Sequence, residues 1–206
     1  MKMALIMAGG LEKDKSLPLH VKGRIDLMVH NHTLRKYDLI LASSSFTLNK
    51  PLVTDGYGYP ISESSTIARA LEEYISTSSI ILAENLSHDT VGSIFFSYLF
   101  FAEPRDILEI DFYTSDFHMD RVEVISNVIN SKFFNNKFKL KFFRSRSEYS
   151  KGRKFRENHE KNAIKSFLSS VKNINSIKEF INFLFEHHRN YNKHYSGRIL
   201  SNDELY

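Results

Sequence analysis

Five short apolar runs alternate along this chain with longer stretches in which apolar residues recur every three or four positions. The runs Ala4 to Ala8, Asp38 to Ala42, Ser79 to Ala83, Ile107 to Tyr113 and Phe138 to Phe143 have the length and composition of strands. Between the first two, His20 to Leu34 predicts a helix with Val21, Ile25, Met28 and Val29 on its apolar side. A second helix starts near Ser62, a good N-cap residue, and is expected to bury Ile67, Ala70, Leu71 and Tyr74. The stretch from Asp89 to Ala102 is apolar nearly all round, which predicts a helix enclosed on several sides. The next helix buries Met119, Val122, Ile125 and Ile129. Two more close the pattern, Glu157 to Val171 and Ile174 to His188, the latter with Ile177, Phe180, Ile181 and Leu184 at helical spacing. The residues from Phe46 to Pro60 hold two prolines, two glycines and two tyrosines, which suggests a long ordered loop over a binding site.

Strands alternating with helices predict an α/β fold, a mainly parallel five-stranded sheet with helices on both faces. Residues 1–190 are expected to form one domain, and 191–206, which lose all periodicity, a loosely attached tail. In open parallel sheets ligands bind beyond the carboxyl ends of the strands. Four of the apolar runs end in small or polar clusters there, and a buried core needs no such endings.

Composition narrows the chemistry. The chain has no cysteine, so disulfides, thiolate catalysis and zinc-thiolate sites are excluded. The first apolar segment is too short for the core of a signal peptide and reads as a strand. No stretch approaches the ~20 apolar residues of a membrane-spanning helix, so a cytoplasmic protein without a membrane partner is expected. The net charge of +4 is local, because Lys141 to Arg156 holds seven basic residues against Glu148 and leaves the remainder at −2. A solvated basic loop fits that segment better than nucleic-acid binding, which usually adds a recognisable reading module.

The strand endings supply candidate residues. Gly9 and Gly10 allow close backbone approach, and their amides could hold an oxyanion or phosphate, with Arg24 reaching back to the same anion. Ser43 and Ser44 lack the glycines of a nucleophile elbow and fit a polar ligand better than nucleophilic catalysis. Glu63 stands in the first turn of a helix, where the dipole favours a carboxylate. Glu84 ends an apolar strand and must find partners or sit in a wet cleft, and Ser87, Asp89 and Thr90 follow it. Asp89 also suits a helix cap.

The segment Thr114-Ser115-Asp116-Phe117-His118-Met119-Asp120-Arg121 carries the richest chemistry. If Asp116 caps the helix, His118 falls in its first turn, where the dipole disfavours imidazolium and a neutral base is available. Arg121 lies one turn on and can hold a carboxylate or phosphate. Glu63, Glu84, Asp89 and His118 could together offer an oxygen-rich site for magnesium or manganese. No close-spaced ligand motif supports it, and Arg121 would repel a cation, so no metal ligand is assigned.

These residues bring a family into view. Gly9-Gly10, Arg24, Gly58 to Ser64, Glu84 with Ser87, Asp89, Thr90 and Gly92, and Thr114 to Met119 with Arg121 resemble, in order, the YdcF/SanA/ElyC-like family. Glu160-Lys161 with Ser166 and Phe167 is similar to that family's ending. The family commonly has glycine within the Ser43 to Ser45 stretch and asparagine where Ser93 stands. The resemblance implies a Rossmann-like three-layer sandwich with C-terminal helices. It also implies a polar pocket for nucleotide-like or phosphorylated ligands, S-adenosylmethionine being proposed for some relatives.

Three functions compete on this reading. The first is an enzyme acting by hydrolysis or group transfer on an anionic, nucleotide-type or phosphorylated small molecule. His118, Glu84 and Asp89 would be catalytic, and Gly9, Gly10, Arg24, Ser43, Ser44, Glu63, Ser87, Thr90, Thr114, Ser115, Asp116 and Arg121 would bind the ligand. The second is a non-catalytic ligand-binding or regulatory protein using the same pocket, for example for S-adenosylmethionine. The third and weakest is nucleic-acid binding through residues 141–156. A nucleotide, S-adenosylmethionine or a divalent metal stay open as cofactors.

Overall fold

In a computed structural model, which describes residues 1–47, 51–75, 79–146 and 153–191, five strands form one parallel sheet in the order β3-β2-β1-β4-β5. The strands are β1 (Lys2–Ile6), β2 (Leu39–Ser43), β3 (Ile80–Glu84), β4 (Glu109–Ser115) and β5 (Lys139–Ser145). Five parallel neighbours demand a crossover between every consecutive pair, and helices supply them. These are α1 (Leu19–Arg35), α2 (Glu63–Glu72), α3 (Thr90–Phe96) and α4 (Asp116–Phe133). Two further helices, α5 (Arg153–Ser170) and α6 (Ile177–Asn182), follow β5.

Strand alternation divides the core in two. Ala4 and Ile6 of β1, with Ile40, Ala42 and Tyr113, face α1 and α2. Met3 and Leu5, with Leu39, Leu41, Ile110 and Phe112, face the other layer, where Phe95, Tyr98, Ile125, Phe167 and Phe180 pack. This is a Rossmann-like three-layer arrangement.

Several expectations shift in detail. Each strand lies one or two residues from its expected span, as element ends read from sequence commonly do. Tyr74 was expected in the core but is 60 % exposed, because α2 ends at Glu72 and Tyr74 lies beyond its apolar side. The helix over Asp89 to Ala102 begins after Asp89, which caps it, and turns π-helical over Ser97–Ala102. The helix expected over Ile174 to His188 starts only at Ile177, with Ser176 capping, and is π-helical over Phe183–His187. The described part of the Phe46 to Pro60 loop folds on itself through a Thr54–Pro60 bridge and exposes Tyr57 and Tyr59; only Thr47 of this part reaches the large cavity. Residues 48–50 and 192–206 lie outside the described residues.

One carboxylate is buried inside the sheet. Asp111 of β4 is wholly enclosed and accepts hydrogen bonds from Arg35 Nε, from Arg35 Nη2 at 2.9 Å and from Tyr37 Oη at 2.7 Å. Tyr37 and Tyr113 share a further hydroxyl bond, and burial pushes the Tyr37 phenol upward, so it stays a donor. Removing one partner of such a pair strands the other. Asp111→Asn should therefore lower stability by about 3 kcal/mol, seen as a lower urea midpoint at unchanged slope. A loss under about 0.5 kcal/mol would show that the ion pair is dispensable.

Candidate active site

The strand order reverses between β1 and β4, and a cavity of about 570 Å³ opens at the carboxyl ends beside that point. Its floor is tied together by Arg24 of α1, which is 1 % exposed. Arg24 Nη1 donates to Met7 O at 2.6 Å and Ala8 O at 2.8 Å, and Nε donates to Ser115 Oγ at 2.9 Å. The arginine expected to seize an anion thus joins the ends of β1 and β4, though it also lines the cavity.

The two glycines after β1 have separate causes. A Cβ at Gly9 would come within 2.4 Å of His20 Nε2, so any side chain there would have to displace that imidazole. Gly10 has φ 95°, a region that favours glycine, and its amide donates to Glu63 Oε2 at 2.8 Å. That amide is not offered to a ligand. Glu63 Oε1 accepts from Thr47 N at 2.7 Å, so this single carboxylate staples the loops after β1 and β2.

Glu84 organises the loop after β3 in the same manner. It is fully buried and accepts from Leu86 N, Ser87 N and Ser44 N, and from Ser87 Oγ. Burial pushes its carboxyl above the usual range against those four donors. Ser87 Oγ also meets Ser93 Oγ at 2.9 Å, and Ser43 Oγ turns back to Ile6 O at 3.3 Å. Ser44 adopts φ 85°, a left-handed backbone that favours glycine.

Asp89 caps α3 through Gly92 N at 2.9 Å and holds the end of the described chain. It accepts from Asn190 Nδ2 at 2.9 Å and Tyr191 Oη at 3.2 Å, and lies 3.1 Å from His188 Nε2. Burial pushes its carboxyl up, but His188, the Gly92 amide and Asn190 outweigh this and bring it down to about 2. A Cβ at Gly92 would fall 1.8 Å from the Tyr191 hydroxyl, so any side chain there would displace Tyr191 from Asp89.

The remaining residues form a connected relay. His118, in the first turn of α4, places Nδ1 3.0 Å from Glu160 Oε2 and Nε2 3.3 Å from Thr90 Oγ1. Arg121, one turn on, donates to Thr90 Oγ1 and sits 3.3 Å from Glu160 Oε2. Asp116, expected as the helix cap, is instead the first helical residue after Ser115 at the cap position, and its carboxylate accepts from the Phe117 amide. Burial pushes the His118 imidazole down to about 4, with Arg121 and Arg24 adding to it and Glu160 opposing. Burial also raises the Glu160 carboxyl, but His118 and Arg121 outweigh that and hold it at about 2. With Glu160 ionised, the proton of neutral His118 belongs on Nδ1, and the Nε2 lone pair faces Thr90.

Of the residues singled out in the sequence, Gly9, Arg24, Ser44, Glu63, Asp89, Thr90, His118 and Arg121 line the cavity. Gly10, Ser43, Glu84, Ser87, Thr114, Ser115 and Asp116 do not, and they shape the loops behind it. Thr114 is wholly buried, and its hydroxyl meets no partner among the described residues. Glu63, Glu84, Asp89 and His118 do not converge, and no group of three or more His, Asp or Glu among the described residues is placed to hold a metal ion. No helix among the described residues is long and apolar enough to cross a membrane.

The far wall had no role assigned from sequence. Arg156, His159, Glu160 and Phe167 of α5 line it, as do His188 and Asn190. Arg156 lies 4.3 Å over the Phe117 ring, which holds its guanidinium at the cavity. One signal was available, since Glu160 shares the helical face of Ala163 and Phe167 and is an acid on an apolar stripe. Elsewhere in the basic segment, Arg144 pairs with Asp120 at 3.1 Å and Lys141 with Glu109 at 4.0 Å. Compared with profiles of known families, with curated proteins and with solved structures, the chain matches none.

The lowered His118 makes a linkage prediction. Between its unfolded value of about 6.5 and its folded value of about 4, the unfolded chain binds more protons than the native one. Stability should therefore rise with pH across that window, and His118→Gln should flatten this part of the profile. NMR titration should place the imidazole midpoint near 4; a midpoint at or above 6.5 would show that Glu160 dominates instead.

Proposed function

We propose that this protein is an enzyme that binds an anionic, nucleotide-type or phosphorylated small molecule in the cavity beside β1 and β4 and catalyses its hydrolysis or group transfer. The observation that carries this reading is the Glu160–His118–Thr90 relay opening on a cavity that Arg121 and Arg156 also line. A neutral imidazole whose far nitrogen is fixed by a carboxylate is the arrangement of a general base. Two guanidinium groups beside it suit an anion. The resemblance to the YdcF/SanA/ElyC-like family points to the same ligand class.

In this reading His118 Nε2 takes a proton from the attacking group and returns it to the leaving group. Glu160 holds the ring in orientation and stabilises the imidazolium formed in passing. Glu63, Glu84 and Asp89 position the loops that carry the reacting groups. The second assignment, a binding protein without turnover, differs only in outcome.

Thermal-shift screening with nucleotides, sugar phosphates, S-adenosylmethionine and divalent metals tests the ligand class, because a ligand at 100 times its Kd stabilises by about 2.7 kcal/mol. An anionic ligand should give such a shift, and Arg121→Ala should reduce it. His118→Ala should cut turnover of that ligand ~100-fold or more while leaving most of the thermal shift. The fall of kcat/KM on the acid side should centre near pH 4, the folded value of His118. Binding at wild-type strength with no turnover in the wild type would instead make this a ligand-binding protein.

A further inference from the structure

Building on the proposed function, the geometry points to Thr90 as a covalent nucleophile, with phosphate esters as the substrate class. His118 has one nitrogen able to accept a proton, Nε2, and what stands before it is a side-chain hydroxyl, Thr90 Oγ1 at 3.3 Å. The third member, Glu160, fixes the opposite nitrogen at 3.0 Å. Hydroxyl, imidazole and carboxylate in that order form the general signature of an activated nucleophile. Asp89 anchors the backbone from which Thr90 projects, so the hydroxyl is held in place from behind.

The surroundings select phosphorus over a carbonyl carbon. Acyl transfer wants backbone amides aimed at the oxyanion, and two near Thr90 are already engaged, Gly92 N by Asp89 Oδ1 and Ser93 N by Asp89 O. The group next to Thr90 Oγ1 is instead the Arg121 guanidinium, which donates to it. It lowers the cost of an alkoxide there and lies where the equatorial oxygens of a transferring phosphoryl group gain charge.

The reaction balances in two displacements. In the first, Thr90 Oγ gives its proton to His118 Nε2 and bonds to phosphorus while the phosphorus–oxygen bond to the leaving alcohol breaks. The departing alkoxide takes the proton back from Nε2. In the second, a water molecule gives a proton to Nε2 and attacks phosphorus. The Thr90 Oγ–phosphorus bond breaks, Oγ recovers the proton, and inorganic phosphate leaves.

The test uses the full chain with p-nitrophenyl phosphate, a sugar phosphate and a nucleoside monophosphate. Acid quenching should trap wild-type protein heavier by one phosphoryl group, mapped by peptide mass spectrometry to Thr90. An ester with a chiral phosphorus should be turned over with retention of configuration, the result of two in-line displacements. Thr90→Ser should keep both signatures. Thr90→Val, which preserves shape, should lose the adduct and at least ~1,000-fold of the turnover with its melting temperature and phosphate-induced thermal shift retained. Inversion at phosphorus, or Thr90→Val turning over at the wild-type rate, overturns the nucleophile and leaves His118 as base to water. A wild type that shows the ligand-induced thermal shift yet neither releases product nor gains the adduct overturns both this step and the enzymatic reading.

Discussion

Burying a guanidinium takes it out of water at a cost that only several well-placed acceptors offset, and Arg24 is 1 % exposed. Its bonds to Met7 O, Ala8 O and Ser115 Oγ join the carboxyl ends of β1 and β4, the two strands between which the strand order reverses. A parallel sheet alone leaves those ends splayed, since the inter-strand ladder stops with the strands. Arg24 continues the connection for one layer beyond the ladder. His118 rides on the helix that starts immediately after Ser115, so the constraint that joins the strand ends also sets where the imidazole stands.

A second rank of carboxylates acts on the loops. Glu63 staples the loops after β1 and β2, Glu84 gathers the turn after β3, and Asp89 draws Asn190 and Tyr191 onto the start of α3. Each is an acid surrounded by donors, chiefly backbone amides at Glu84 and chiefly side chains at Asp89, an economical way to hold irregular chain in one conformation. Their carboxylate oxygens are engaged by the protein itself. His118 and Arg121, with their partners Thr90 and Glu160, line the cavity together with Glu63 and Asp89, whereas Glu84 lies behind it. The division between groups that shape the site and groups that face it runs through residue types that are identical on paper.

The alternation of strands and helices was legible because a half-buried helix and a buried strand impose different periods on the sequence. The strand endings were legible too, since polar clusters after apolar runs are hard to explain as core. Which ending faces the cavity was not. Ser43 and Ser44 are neighbours, yet one turns inward to Ile6 and the other, in a left-handed conformation, lines the cavity. Glu160 stood on an apolar stripe of α5, but nothing local says that a helix over forty residues beyond His118 packs against it. The late starts and π-helical ends of the helices at Ser97–Ala102 and Phe183–His187 follow packing against neighbours, which propensity does not record.

By itself the sequence determined the α/β class, the parallel sheet and the polar clusters at the strand ends, because periodicity, turn chemistry and composition are local properties. Only the tertiary structure decided that Arg24 is a joint between strand ends, that Glu84 and Asp89 organise loops, and that Glu160 and Thr90 flank His118. Those roles depend on distances between residues far apart in the chain. A hydrogen bond is made or lost over less than an ångström, and that precision arises when all the layers pack together.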